Sequence, residues 1–125
     1  MSGKGFKELL AEANAAIETL PVEDALAMVD DDSVVLVDVR ETDEHQRGAI
    51  RHSVHAPRGF LEFIVDPEGP MHNPALASGK HLVLYCGSGG RSALAAKTLK
   101  DMGVEKVSHI AGGFAAWQEA GGPTE

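Results

Sequence analysis

Residues 81–103 read HLVLYCGSGGRSALAAKTLKDMG, and this stretch decides the fold expected for the chain. The run HLVLY is typical of a β-strand, and the run SALAAKTLKDMG is typical of a helix that ends at Gly103. A short loop with three glycines, an arginine and Cys86, the only cysteine of 125 residues, lies between them. A strand followed by a loop and a helix is the building unit of parallel α/β domains.

The segments on either side continue this alternation. Strands are predicted at residues 34–39, 53–57, 81–86 and 106–110, and helices at residues 4–18, 22–29, 41–48, 92–103 and 112–120. Residues 59–80 contain the helix and strand breakers Pro67, Gly69, Pro70 and Pro74 and are predicted to form a long ordered loop. The sequence therefore predicts an α/β domain with a mostly parallel sheet.

The N-terminal segment has apolar residues at helical spacing. Residues 4–18 are predicted to form an amphipathic helix. We expect residues 1–20 to be a helical extension and residues 21–125 to be the main domain. Such an extension could support a dimer, form a docking surface or cap the sheet.

Composition and charge exclude several classes of function. The net charge is −8, and residues 1–44 carry most of it, with 12 acids and 3 bases. No basic stripe indicates nucleic-acid binding, and no apolar run approaches the roughly 20 residues of a membrane span. A single cysteine allows no intrachain disulfide, and the first residues do not resemble a secretory signal. We therefore expect a cytoplasmic protein.

The loop after residue 85 combines features that stabilise an anion. Gly87, Gly89 and Gly90 allow the backbone to curl so that successive N–H groups point inward. The N-terminus of the following helix and the guanidinium of Arg91 add positive potential. The nearest anion is the Cys86 thiolate, whose pKa such surroundings lower. The loop therefore indicates a cysteine nucleophile that acts on an anionic substrate.

Three blocks of the chain, in order, resemble the single-domain rhodanese family of sulfurtransferases. They are LVDVRETDEHQRGAIRHSVHAPRG (36–59), LVLYCGSGGRSALAAKTLKDMG (82–103) and GGFAAWQEAGGP (112–123), and PRGFLEF further resembles a bacterial subgroup. The resemblance implies a rhodanese fold, with a mostly parallel sheet of about five strands and helices on both faces.

The same resemblance implies a reaction. Cys86 would take the outer sulfur of thiosulfate or another sulfane donor as a persulfide, and pass it to cyanide or a thiol. The backbone N–H groups of residues 87–91 would cradle the persulfide, and no metal or organic cofactor is implied. A protein of sulfur trafficking could also serve as partner.

Other functions stay open. Four residues separate Cys86 from Arg91, whereas cysteine phosphatases with a related loop have five, so the loop favours a sulfur over a larger phosphoryl group. A persulfide carrier or protein-binding module would use the same loop chemistry. A redox sensor is a weaker alternative because the chain has no second, resolving cysteine.

The candidate substrate-binding residues beside Cys86 are Gly87, Ser88, Gly89, Gly90, Arg91, Ser92 and Arg58. Arg58 could hold the sulfonate of the donor or be an exposed arginine. Arg91 could bind substrate or brace the loop through an acid. The serine hydroxyls could donate to substrate, although capping is favoured, with Ser92 at the helix start.

Two further groups are interpreted as structural. Asp38 and Arg40 are predicted to form an ion pair that braces the fold, because a buried carboxylate needs such a partner. His45, His52 and His55 lack the regular spacing of zinc motifs, so no metal site is predicted.

Overall fold

Five parallel strands form one sheet in the spatial order β1-β5-β4-β2-β3. The computed structural model describes residues 3–125. The strands are β1 (Glu18–Leu20), β2 (Val34–Asp38), β3 (Val54–His55), β4 (His81–Tyr85) and β5 (Val107–Ile110). The predicted α/β class with about five mostly parallel strands is confirmed.

Six helices flank the sheet within residues 3–125. They are α1 (Phe6–Ala16), α2 (Val22–Leu26), α3 (Thr42–Gln46), α4 (Leu61–Val65), α5 (Gly90–Asp101) and α6 (Gly113–Glu119), with 3₁₀ turns at Arg58–Phe60 and Pro74–Ala77. Within residues 3–125, no helix combines the length and apolar character that a membrane crossing requires.

The side chains of β4 alternate between two hydrophobic cores. Leu82 and Leu84 pack in one core with Leu99 of α5, whereas Val83 packs in the other with Trp117 of α6. Because both faces of a central parallel strand are buried, its sequence is a continuous apolar run. Helices therefore lie on both faces of the sheet, as predicted.

The first strand corrects the predicted N-terminal helix. Residues 18–20 were expected to belong to the helical extension, but the helix ends at Ala16 and Ile17 is already extended, with φ −123° and ψ 164°. Glu18–Leu20 then pairs in parallel with Ser108–Ile110 of β5. Residues 18–20 therefore form a strand although their apolar spacing is helical, because pairing with residues about 90 positions away outweighs the local preference. Met1 and Ser2 lie outside the described residues.

The predicted loop over residues 59–80 was wrong at its beginning, where α4 forms. Leu61, Ile64 and Val65 are all buried, and their spacing is that of one helix face. The breakers Pro67, Gly69 and Pro70 act only after the helix has ended at Val65.

The sheet brings two chain segments together at the carboxyl ends of its central strands. Asp38, the last residue of β2, pairs in register with Tyr85, the last residue of β4. The segments that follow, which contain Arg40 and Cys86, therefore leave the same edge of the sheet. Ligands of open parallel sheets bind outside this edge.

Candidate functional site

Cys86 is the first residue of the loop between β4 and α5. Its side chain is 1% exposed. The sulfur accepts hydrogen bonds from the backbone N–H groups of Gly89, at 3.1 Å, and Ser92, at 3.3 Å. Gly89 adopts φ +117°, a conformation that glycine allows at little cost, as it caps α5. The loop thus aims backbone donors at the sulfur.

These donors influence the ionisation of the cysteine. Burial acts to raise the pKa of the Cys86 thiol, but hydrogen bonds from the Ser92 hydroxyl and from the N–H groups of Ser92, Gly89 and Ser88 act against it. The net result is a pKa below the ordinary value of a thiol. A thiolate is the nucleophilic form of cysteine, so the loop can support nucleophilic attack.

The first residues of α6 form hydrogen bonds to the backbone of the Cys86 loop. The N–H of Phe114 donates to the carbonyl of Cys86 at 2.7 Å, and the N–H of Ala115 donates to that of Gly87 at 3.2 Å. This approach requires a glycine at position 113, because a Cβ there would lie 2.3 Å from the carbonyl oxygen of Cys86. The sequence alone did not indicate this role of Gly113, although the pair of glycines before α6 is a signal of a close backbone approach.

Arg91 forms a bidentate ion pair with Glu44 of α3. The nitrogen–oxygen distances are 2.6 and 3.0 Å. Hydrogen bonding to Arg91 is the main reason why the pKa of Glu44 falls to about 2, despite some opposing burial. Of the two roles considered for Arg91, the contact in the structure is that of a brace paired with an acid.

Sequence reasoning missed Glu44 as that acid. The residue lies 47 positions before Arg91, in α3, where its carboxylate also caps the start of the helix by accepting from the N–H of Glu41 at 3.0 Å. The capping pattern was visible in the sequence, but it gave no indication of the distant arginine.

Asp38 and Arg40 form a buried ion pair beside the loop. Arg40 donates from Nε to one carboxylate oxygen of Asp38 at 3.0 Å and from Nη2 to the other at 2.9 Å. Burial opposes the charge, but hydrogen bonds from Arg40 and His45 keep the pKa of Asp38 below its ordinary value. The guanidinium also stacks 4.4 Å above the ring centre of Phe114, which links the pair to α6.

Arg58 has partners away from the loop. Its guanidinium donates to the carboxylate of Glu62 at 3.2 and 3.3 Å and to the hydroxyl of Thr98 at 3.1 Å. Thr98 lies in the second half of α5, well beyond the loop at its start. Among the described residues, the side-chain hydrogen bonds of Arg58 thus go to Glu62 and Thr98 and not to the Cys86 loop.

Comparison with protein families matches residues 21–120 to the Rhodanese-like domain. Among curated relatives, an uncharacterized protein from Synechocystis is 41% identical over 93 residues, which are 74% of this chain and 48% of that protein. The chain spans about half to two thirds of the length of several curated relatives that it matches.

Two solved structures share the whole architecture. A Rhodopseudomonas palustris protein, described as of unknown function and as a "possible tyrosine phosphatase", is 48% identical, with a TM-score of 0.95, and the match covers 100% of this chain and 97% of that one. The polysulfide-sulfur transferase homodimer of Wolinella succinogenes is 30% identical, with a TM-score of 0.71, and covers 96% and 86%. These matches and the loop geometry confirm the family that the three sequence blocks indicated: the chain belongs to the Rhodanese-like domain family.

Proposed function

We propose that this protein is a sulfurtransferase that moves a sulfane sulfur from thiosulfate, or a similar anionic donor, to a thiol or cyanide through a persulfide on Cys86. The observation that carries the proposal is the loop itself. Two backbone N–H groups hydrogen-bond the sulfur at 3.1 and 3.3 Å, and only four residues separate it from Arg91. Family membership and the similarity to a polysulfide-sulfur transferase support it.

The proposed first step is an attack by the Cys86 thiolate on the outer sulfur of thiosulfate. A new S–S bond forms as the donor's own S–S bond breaks, and sulfite leaves with the electron pair. In the second step the acceptor attacks the terminal sulfur, and Cys86 leaves as the thiolate again. Negative charge stays on sulfur throughout, so the backbone N–H groups of residues 87–92, with those of Gly89 and Ser92 already at the sulfur, would stabilise every stage.

A phosphatase is the competing enzyme, because the Rhodopseudomonas palustris relative carries that description. The loop argues against it here, since a phosphoryl group needs donors around three equatorial oxygens and this loop has one residue fewer than phosphatase loops.

A persulfide carrier would use the same chemistry but would load slowly from thiosulfate and rapidly from a partner protein. We propose that the protein acts in the cytoplasm, where thiols such as that of Cys86 are kept reduced.

Parallel assays of thiosulfate:cyanide transfer and aryl-phosphate hydrolysis test the proposal. We expect thiocyanate formation by the wild type, none by Cys86→Ser, and no phosphate release by either protein. Hydrolysis of the phosphate ester without thiocyanate formation would overturn it. Loading from thiosulfate without turnover would identify a carrier instead of an enzyme.

A further inference from the structure

A chain of hydrogen bonds runs from Cys86 through the interior to the edge of the sheet. The Cys86 sulfur is 3.5 Å from the hydroxyl of Ser92, and this hydroxyl is 2.9 Å from Nδ1 of His109. The other ring nitrogen, Nε2, is 3.1 Å from the hydroxyl of Thr19. Each member of the chain is therefore within hydrogen-bond distance of the next.

Three elements supply these groups. Ser92 is in the first turn of α5, His109 is in β5, and Thr19 lies directly opposite His109 in the edge strand β1. Ser92 and His109 are 0% and 3% exposed, whereas Thr19 is exposed. The chain thus connects a buried sulfur with solvent at the edge strand of the sheet.

We propose that Ser92, His109 and Thr19 form a proton relay that carries the proton of the Cys86 thiol to the sheet edge when the sulfur ionises. The relay would supply the thiolate for the sulfur transfer proposed above, so its role in catalysis rests on that function. The movement of the proton when Cys86 ionises does not depend on that function and can be tested without it.

The direction of each hydrogen bond follows from the protonation state. In the thiol form, Cys86 donates to the oxygen of Ser92, the Ser92 hydroxyl donates to Nδ1 of His109, and Nε2–H donates to Thr19. On ionisation the thiol proton moves to Ser92, the former Ser92 proton moves to Nδ1, and the Nε2 proton leaves through Thr19. Every bond then points the other way, one proton has been lost to solvent, and the imidazole is again neutral.

The surroundings of His109 suit this exchange. Burial lowers the pKa of His109, which favours the neutral ring, and a neutral ring has one donor and one acceptor nitrogen. Both of its hydrogen-bond partners are hydroxyls, which can donate or accept, and the Ser92 hydroxyl is closer to Nδ1, at 2.9 Å, than to its other acceptor, the carbonyl of Gly89, at 3.3 Å. The charged groups at Cys86 lie on the loop side, where Arg91 of α5 is paired with Glu44 of α3.

Cys86 is only 1% exposed, and a sulfur donor bound at the loop would close the remaining access of solvent to its sulfur. A proton lost after binding would then have to leave through the interior. Ser92 contacts the reacting sulfur, so it can act directly, whereas His109 and Thr19 act through it as positioning residues.

The ring tautomer of His109 tests the relay without sulfur transfer. We would record ¹⁵N NMR spectra of histidine side chains in the full chain across pH, and measure Cys86 ionisation from the rate of iodoacetamide alkylation. The relay predicts a change of His109 from the Nε2–H to the Nδ1–H tautomer at the midpoint of the alkylation curve. The change should be absent in Cys86→Ala and in Ser92→Ala. One fixed tautomer throughout the Cys86 titration would overturn the proposal.

Two matched variants test its role in turnover. His109→Asn keeps a hydrogen-bonding group near Ser92 but cannot exchange a proton between two ring nitrogens. His81→Asn is the control, because His81 also bonds a serine hydroxyl, that of Ser108 at 2.7 Å, outside the chain that leads to Cys86.

Without the relay, His109→Asn can use only the sulfur that is already ionised, which is about one tenth of the total at one pH unit below the thiol midpoint. The wild type can release the proton after the donor has bound. We therefore expect the variant at saturating thiosulfate to lose about tenfold in kcat at that pH. Its kcat should recover above that midpoint, and the control should follow the wild type throughout. Identical pH profiles of the two variants would contradict the relay. If no variant or wild-type protein forms thiocyanate, the proposed function fails while the NMR result still decides the relay.

Discussion

Replacing Gly113 with alanine would place a methyl group against the backbone of the Cys86 loop. The added Cβ would lie 2.3 Å from the carbonyl oxygen of Cys86 and 2.8 and 2.9 Å from the carbonyl carbon and oxygen of Gly87. These atoms belong to the backbone, so no side chain can rotate away. Either the loop or the start of α6 must move.

The expected cost has two parts. Forced separation of packed groups costs about 1–3 kcal/mol. Gly113 also has φ +57°, and an L-residue in the left-handed region adds about 1–2 kcal/mol. We therefore expect Gly113→Ala to lower the free energy of unfolding by about 2–5 kcal/mol. The displaced loop should also lose part of its hydrogen bonding to sulfur, which raises the pKa of the Cys86 thiol.

Urea unfolding, followed by the fluorescence of the buried Trp117, measures the first effect, and the pH dependence of alkylation measures the second. Gly121→Ala is the matched control, because Gly121 has φ +75° but nothing within 4 Å of an added Cβ. It should cost only about 1–2 kcal/mol and leave alkylation unchanged. Equal losses of stability in both variants, with unchanged alkylation, would refute the reasoning about close approach.

Two further substitutions test the contacts around the loop. Glu44→Gln removes the charge that pairs with Arg91. The fall in the pKa of Glu44 from its ordinary 4.5 to about 2 sets an upper limit of about 3 kcal/mol on the contribution of the pair to the free energy of unfolding. Because the pair is partly exposed to solvent, we expect the actual contribution to be about 1 kcal/mol. Because the folded state favours the carboxylate, this contribution is present above about pH 4.5 and is lost as the pH falls towards 2. In urea unfolding, the free energies of unfolding of wild type and variant should therefore converge in acid. A difference that stays constant with pH would contradict the pairing. Tyr85→Phe removes the hydroxyl that accepts from the N–H of buried Ile50 at 3.0 Å, so we expect a loss of about 1–3 kcal/mol in urea unfolding, and no loss would show that this N–H has another partner.

The central strands could be predicted because their own residues determine them. β2 and β4 are apolar runs that suit burial on both faces, whereas β5, with the sequence VSHI, alternates less clearly and is recognised by its β-branched residues ahead of the glycines at 112 and 113. β1 could not be predicted, because three residues carry too little local pattern and their extended shape depends on pairing with β5. Helix α4 was hidden by the breakers that follow it, although its apolar spacing was present.

The candidate site also has a part that local sequence determines and a part that depends on distant contacts. The loop from Cys86 to Arg91 is contiguous, so its donors could be argued from the sequence. Glu44 and His109 reach the loop only through the order of the strands and the packing of α3, which local sequence does not determine. For this reason the sequence indicated the nucleophile but neither the acid that holds Arg91 nor the imidazole behind Ser92.

Mass spectrometry of the protein after incubation with thiosulfate tests the central claim, that Cys86 carries sulfur as a persulfide. The account predicts one added sulfur atom on the peptide that contains Cys86, its removal by cyanide, and no addition in Cys86→Ser. An unmodified Cys86 in a protein that forms thiocyanate, or a phosphoryl group on Cys86 after incubation with an aryl phosphate, would contradict it.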